Sequence, residues 1–290
     1  TDSKWEYGSI FERADAPFKA VEQVKAMLNI FTQIGGQASG NGHSGNPSDH
    51  IYGSEVDITA SPDSHYEFTG WAGDGVEDPN SLSTKVVMSE DRNITATFKL
   101  KEYNITIKTY PEGVGSVSGS GTGFNHGSIA NISATVPFGY EFSHWDNFNS
   151  DGIPTTGLDN NESETTTLTV GGGHILFANF TPLPFDISVN STIGGNATIV
   201  ESSPYYYDQA YTISASSEYG YTFQSWTSST GSESLLSSAN SKISAFTVSG
   251  NASYTANFTE NKYRLTVTMG QGGASISPSI PSLYNHSDIV

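Results

Sequence analysis

The sequence predicts a chain of tandem β modules, all-β to α+β in class, and three observations carry that expectation. An aromatic cluster is written three times, as SHYEFTGW at Ser64 to Trp71, FGYEFSHW at Phe138 to Trp145 and YGYTFQSW at Tyr219 to Trp226. Its surroundings keep register: Ala60, Ala134 and Ala215 each stand eleven residues before the Trp. Runs ending at Met88, Val170 and Val248 are followed ten residues later by Phe98, Phe180 and Phe258. Most of these segments alternate apolar and polar residues, the period of a half-buried strand. Self-similarity at a fixed interval is the mark of repeated folding units.

Taken in order, residues 1–27 do not fit the repeat. SKWEYGSIF reads as a strand, and Asp15-Ala16-Pro17 ahead of Phe18, Val21, Val24 and Leu28 reads as a capped amphipathic helix. The segment is either an N-terminal arm or the remnant of a preceding domain, with Trp5 a degenerate copy of the repeated Trp. Repeat 1 (28–100) opens on LNIF, turns at Gly35-Gly36, and crosses a polar loop to the strand EVDITA. In the aromatic strand Tyr66, Phe68 and, if the strand stays regular, Trp71 would line one buried face. VVM and ITATF, joined by SEDRN, read as a hairpin, as do their counterparts joined by GGGH and SGNA. Repeat 2 (101–182) opens with YNITIKT and repeat 3 (183–260) with FDISVNS. A partial repeat 4 (261–290) opens with YRLTVTM and turns at Gly272-Gly273.

The joints are constant in length. Five residues separate Phe98 from Tyr103, Phe180 from Phe185 and Phe258 from Tyr263. A linker this short is no flexible tether, so the expectation is modules held at a recurring angle in an elongated rod. The copies differ chiefly after the Trp: Trp71 to Val86 is 15 residues, Trp145 to Leu168 is 23 and Trp226 to Phe246 is 20. Insertions gathered at one topological place mark the surface where copy-specific recognition would sit.

Composition bounds the function. Twelve basic against 30 acidic residues give a formal charge of −18, which repels nucleic acid and anionic lipid and leaves no basic stripe for phosphate. There is no cysteine, hence no disulfide framework or thiolate chemistry. No apolar run is long enough to span a membrane. A start at Thr1 without a signal-like segment suits a piece of something larger. Abundant Ser, Thr, Gly and Asn with few Lys suit an extracellular or cell-surface address. Ten Asn-x-Ser/Thr sites occur, at Asn93, Asn104, Asn131, Asn161, Asn179, Asn190, Asn196, Asn251, Asn257 and Asn285. They become N-glycosylation sites only in a host that glycosylates surface proteins.

No catalytic motif is found. The seven histidines lack metal spacing, and His144 beside Trp145 reads as a surface histidine. GSGTG at Gly119 to Gly123 falls in a hairpin loop rather than before a helix. The acidic residues show no pair that recurs from copy to copy, which speaks against glycoside hydrolysis. For a cation, the calcium candidates are Asp146, Asn147, Asn149 and Asp151 ahead of Gly152. Alternate oxygen ligands before a Gly resemble a calcium loop, yet Leu158 stands where a bidentate Glu belongs. For a sugar, Tyr205, Tyr206 and Tyr207 in SPYYYDQAY could offer stacking faces. The plainer reading is an edge strand packed on a neighbouring repeat.

The combined pattern, YNITIK, a Gly turn, ANISATVPFGYEFSHW and a closing LFANF, resembles the divergent internalin-B-type B-repeat family and the related Listeria-Bacteroides repeats of bacterial surface proteins. The resemblance covers about 28–260 as three copies and 263–290 as a partial one. It implies small β-grasp-like modules in tandem on secreted or surface-anchored proteins, and no catalysis. Repeat 1 departs from it in having His65 where Gly139 and Gly220 stand. The resulting expectation is a non-enzymatic extracellular stalk or fibre segment whose partners are neighbouring repeats or identical subunits. The rival is an adhesin that binds glycan or protein through its post-Trp loops.

Overall fold

The computed structural model describes residues 23–41, 46–229, 236–267, 270–272 and 283–289. The strand and most of the helix expected within 1–27, with Trp5, lie outside them, as does Gly273. The described residues form strands and no helix. In repeat 1 these are β1 (Lys25–Thr32), β2 (Gly36–Gly40), β3 (Ser48–Ile51), β4 (Glu55–Pro62), β5 (Tyr66–Ala72), β6 (Ser83–Val87) and β7 (Arg92–Leu100). Leu28, read both as the last apolar position of a helix and as the start of the strand LNIF, is a buried residue of β1. The chain divides into two compact units, the first reaching to Tyr103 with Thr122–Ser128, the second comprising Asn104–Gly121 and everything from Ile129 on.

In the first unit the odd strands make one sheet, in the order β3-β1-β7-β5, and the even strands another, β2-β4-β6. Successive strands therefore alternate between sheets, and no two neighbours in sequence pair. The expected hairpin of VVM with ITATF is a crossing from one sheet to the other. Alternation along a strand reveals which face is buried but not which strand lies alongside, so the sequence pattern served both topologies equally. The first and last strands of the copy run parallel, Leu28 beside Arg92 and Ile30 beside Ile94. Leu28 and Ile30 from β1, Val56, Ile58 and Ala60 from β4, and Val86, Ile94 and Ala96 fill the space between the sheets with Trp71. A β-grasp module lays a helix across its sheet; here that face is covered by β2-β4-β6.

Repeat 2 follows the same plan. Its strands are β8 (Glu102–Tyr110), β9 (Ser116–Ser118), β10 (Gly121–Asn125), β11 (Ile129–Thr135), β12 (Tyr140–Asn149), β13 (Thr165–Thr169) and β14 (His174–Pro182). β8 lies parallel to β14, which pairs antiparallel with β12, and β13-β11-β9 form the second sheet. Repeat 3 has β15 (Pro184–Phe185), β16 (Ile187–Ser191), β17 (Gly195–Ile199), β18 (Tyr205–Tyr206), β19 (Ala210–Ser217), β20 (Tyr221–Ser228), β21 (Ile243–Thr247) and β22 (Ala252–Glu260). Its sheets are β16-β22-β20 and β17-β19-β21, with β15 paired to β18. Of the partial copy, β23 (Lys262–Arg264) and β24 (Leu283–Asn285) pair antiparallel.

The aromatic strand is not regular, and its irregularity is what buries the Trp. With a step of three from Phe to Trp, a regular strand would send the two rings to opposite faces. A bulge lies between Phe68 and Gly70, Phe142 and His144, and Phe223 and Ser225. The extra residue restores the parity. Each central Phe then touches both its Trp and the closing Phe, with ring centroids 5.7 and 5.9 Å away in repeat 1, 5.5 and 6.1 Å in repeat 2, and 5.8 Å for both in repeat 3.

Candidate functional site at the repeat joints and the post-Trp loops

Each Trp anchors the variable loop twice. The Trp71, Trp145 and Trp226 amides donate to the carbonyls of Pro79, Asn161 and Ala239, all at 2.7 Å. Their Nε1–H groups donate to the carbonyls of Ser81, Ser163 and Ser241, all at 2.9 Å. The loop's return is fixed as well. The amides of Asp78, Asn160 and Ser238 donate to the hydroxyls of Thr84, Thr166 and Ser244 at 3.0 Å. All length variation is thus confined between the Trp and this turn. The sequence signal was an Asp, Asn or Ser three residues before a Ser, too short and too common to stand out beside the aromatics.

The joints are built from one residue, the third after each closing Phe. In the second unit the Leu183 amide donates to the Gly139 carbonyl (2.8 Å), and the Leu183 carbonyl accepts from the Tyr207 amide (2.9 Å). Asn261 does the same between Gly220 (2.7 Å) and His286 (3.0 Å). Within the first unit Lys101 bridges His65 and His126, both at 2.9 Å. The ring following this bridge closes over the residue preceding it. Tyr207 lies on Gly139 and His286 on Gly220, where an added Cβ would stand only 2.3 and 2.0 Å from the ring. Both glycines have φ +85°, which independently favours Gly. With His65 in that place the contact becomes a face-to-face stack on His126, centroids 3.7 Å apart and planes within 5°.

Aromatic neighbours complete each clasp. Tyr207 packs edge-on to Phe138 (5.7 Å) and Tyr140 (5.5 Å) and lies 6.0 Å from Phe185. Burial there, with Asp208 and the Tyr207 phenol nearby, pushes the Tyr140 hydroxyl's pKa up. His286 sits 4.8 Å from Tyr219 and 5.8 Å from Tyr263. The Ser287 hydroxyl and amide both bond to the Glu260 carboxylate, holding its pKa down.

The three tyrosines singled out for sugar stacking separate into different roles. Tyr205 bonds to the Glu201 carbonyl (3.2 Å) and packs edge-on to Tyr211. Tyr207 belongs to the clasp. Tyr206 alone is solvent-facing, with 38% of its surface exposed.

The four calcium candidates do not converge. Asp146 and Asn147 are successive residues of β12 and point to opposite faces. Asp146 accepts from Asn179 Nδ2 (3.0 Å). Asn147 is buried, donating to the Thr156 carbonyl (3.0 Å) and meeting His174 Nδ1 through Oδ1 (2.9 Å). Asn149 Oδ1 closes a turn by accepting the amides of Asp151 (3.0 Å) and Ile153 (2.9 Å). The Asp151 side chain is exposed on that turn. His144 is half-exposed beside Asp146, 3.5 Å away.

His174, which the sequence did not single out, is the buried partner in this arrangement. The Gly171 amide donates to its Nε2 (3.4 Å), so Nδ1 carries the proton toward Asn147. Burial lowers its pKa.

Among the ten glycosylation sites, Asn93, Asn104, Asn131, Asn161, Asn190, Asn196, Asn251 and Asn285 are exposed. Asn179 and Asn257 instead fill the strand bulges. Asn179 Nδ2 donates to the carbonyls of His144 and Phe177 (both 3.3 Å) as well as to Asp146. Asn257 Nδ2 donates to the carbonyls of Ser225 (3.2 Å) and Thr255 (3.3 Å) and to Thr227 Oγ1 (3.1 Å). In repeat 1 the Thr97 hydroxyl takes this place by donating to the Gly70 carbonyl (2.7 Å).

Comparison with known proteins gives one family. The signature described as the divergent InlB B-repeat domain matches three times, at residues 26–102, 105–184 and 185–262. No curated protein matches the chain. Among solved structures, similarity is found to the Bacillus anthracis TIE protein, at 9% identity over 80% of this chain and 49% of that one, TM-score 0.31. The pilus adhesin SpaC from Lactobacillus rhamnosus GG gives 10% identity over 82% and 44%, TM-score 0.26. The major pilin from Streptococcus pyogenes gives 9% over 82% and 98%, TM-score 0.14. The chain spans about half the length of the first two, and likenesses this distant carry no argument about fold or function.

Proposed function

Because this chain belongs to the divergent InlB B-repeat domain family, we propose that it is a non-enzymatic structural segment of a cell-surface or secreted protein, whose work is to space other parts of that protein at a fixed offset. The observation that supports the reading is the clasp written three times, in which one linker residue is hydrogen-bonded on both sides and the ring beyond it closes over His65, Gly139 or Gly220. Such a joint resists swivelling because any rotation breaks two backbone bonds and unstacks an aromatic contact. An extended arrangement of the modules is part of the proposal, as is a subunit role in a fibre.

The test is a distance measurement between spin labels placed on exposed positions of repeats 2 and 3. The expected distribution is narrow, and inserting one glycine after Pro182 broadens it. A broad distribution in the unaltered chain overturns the spacer reading. Antibodies that fail to reach the chain on intact cells, and in the medium, overturn the address.

A second reading, an adhesin that holds glycan, is supported by the solvent-facing ring of Tyr206. Saturable binding on a glycan array, abolished by Tyr206→Ala, would establish it.

A further inference from the structure

The three copies treat one sheet edge differently. In β1, β8 and β16 every second residue turns its amide and carbonyl away from the parallel partner strand, toward the outer edge. In repeat 1 the outward groups of Ile30 are both taken by the Asn46 side chain, its Oδ1 accepting (3.0 Å) and its Nδ2 donating (2.7 Å). In repeat 2 the Ile107 amide donates to Ser120 Oγ (3.0 Å). In repeat 3 no described group meets the outward amides and carbonyls of Ile187 and Val189. The strand that should cover them, β18, stays paired only at Pro184 and Phe185 and then peels away.

The cause is local. Glu201 turns its carboxylate to the Thr212 amide (2.8 Å), and Tyr205 packs on Tyr211, so the segment before β18 is tied to β19. The Thr212 amide holds the Glu201 carboxyl below its usual pKa, keeping that tie charged. The result is an open cleft lined by Phe185, Asp186, Ile187, Ser203, Pro204 and Tyr205. An uncovered edge of this kind is a template for another extended chain.

Charge selects the kind of chain. From Leu183 to Ser241 the sequence carries five acidic residues and no Lys, Arg or His. We propose that the open edge of β16 is a strand-addition site for an extended basic segment of another protein, which pairs its backbone with Ile187 and Val189 while its Lys or Arg side chains meet the acidic surface. A second copy of this chain fits less well, since the two edges would carry like charge. The inference is independent of the spacer reading, because Ile187 and Val189 take no part in the clasp.

The probe is a short peptide of alternating valine and threonine flanked by lysines, added to the whole chain and followed by hydrogen exchange. Bound peptide slows exchange of the Ile187 and Val189 amides by about tenfold or more at saturation, with no change at Ile30 or Ile107. Val189→Pro removes one donor at a position where the amide faces solvent, which an edge strand tolerates. It weakens binding by about tenfold or more. Independently of that variant's folding, the same peptide N-methylated on its pairing amides fails to bind, and a version with glutamates in place of the lysines binds at least about tenfold more weakly. Protection elsewhere, equal binding by the methylated peptide, or no protection at these amides overturns the site. Protection that arises without peptide and grows with protein concentration replaces the basic segment with a second copy.

Discussion

The Tyr207 ring of the third repeat lies directly over the α-carbon of Gly139 in the second, so near that one added carbon would stand 2.3 Å from it. This contact, with the Leu183 bridge beneath it, makes the joint a packed interior rather than a linker.

Gly139→Ala is expected to destabilise the joint by about 1–2 kcal/mol from the positive φ alone, and by more from the collision. Tyr207→Ala in the same chain relieves the collision but not the backbone strain. A double-mutant cycle on chemical denaturation should therefore show positive coupling, and additivity of the two losses would mean the ring does not rest there.

Trp145→Ala is expected to cost about 3–5 kcal/mol, the range for deleting a buried aromatic. Trp145→Phe keeps most of the packing but strands the Ser163 carbonyl, for about 1–3 kcal/mol. Proteolysis should then speed up between Asn147 and Asp159 while the rest of the repeat holds. Unchanged cleavage there would show that the indole is not the loop's anchor.

Stability should also fall in acid through His174. Its folded pKa lies below the ordinary value of 6.5, so it takes up a proton more readily when unfolded. Its contribution is fully present above that value and is lost as pH falls from there through the lower folded pKa. The slope should diminish in His174→Gln, as read by melting temperature between about pH 7 and 5.

When the folded protein is offered to an oligosaccharyltransferase, Asn179 and Asn257 should remain bare. The atom that would carry the sugar, Nδ2, is spent on three acceptors at each site. Peptide mass spectrometry reads the outcome. Asn179→Ala should also cost roughly 1 kcal/mol or more by opening the bulge.

Much of the repeat was legible because its large residues recur at fixed intervals. The buried Trp145, Ala134, Phe180 and Val170 and the constant joints follow from spacing alone. Strand pairing was not legible, since period two looks the same whether a strand turns back on its neighbour or crosses to another sheet. The bulge was hidden in the three-residue step from Phe142 to Trp145. The clasp was hidden because its covering ring changes identity, His126, Tyr207, His286, and only the backbone bridge is constant. For the calcium and sugar candidates, sequence adjacency misled: Asp146 and Asn147 diverge across a strand, and three successive tyrosines turn three ways.

The alternation of strands between two sheets has a consequence for how such an array is made. With β1 closing against β7 across a whole copy, nothing short of the full copy gives the opening strand its parallel partner or completes the sheet. A nascent repeat stays open until its last strand leaves the ribosome, and a truncation inside one undoes that copy from both ends. Arrays of this design can gain or lose length only by whole numbers.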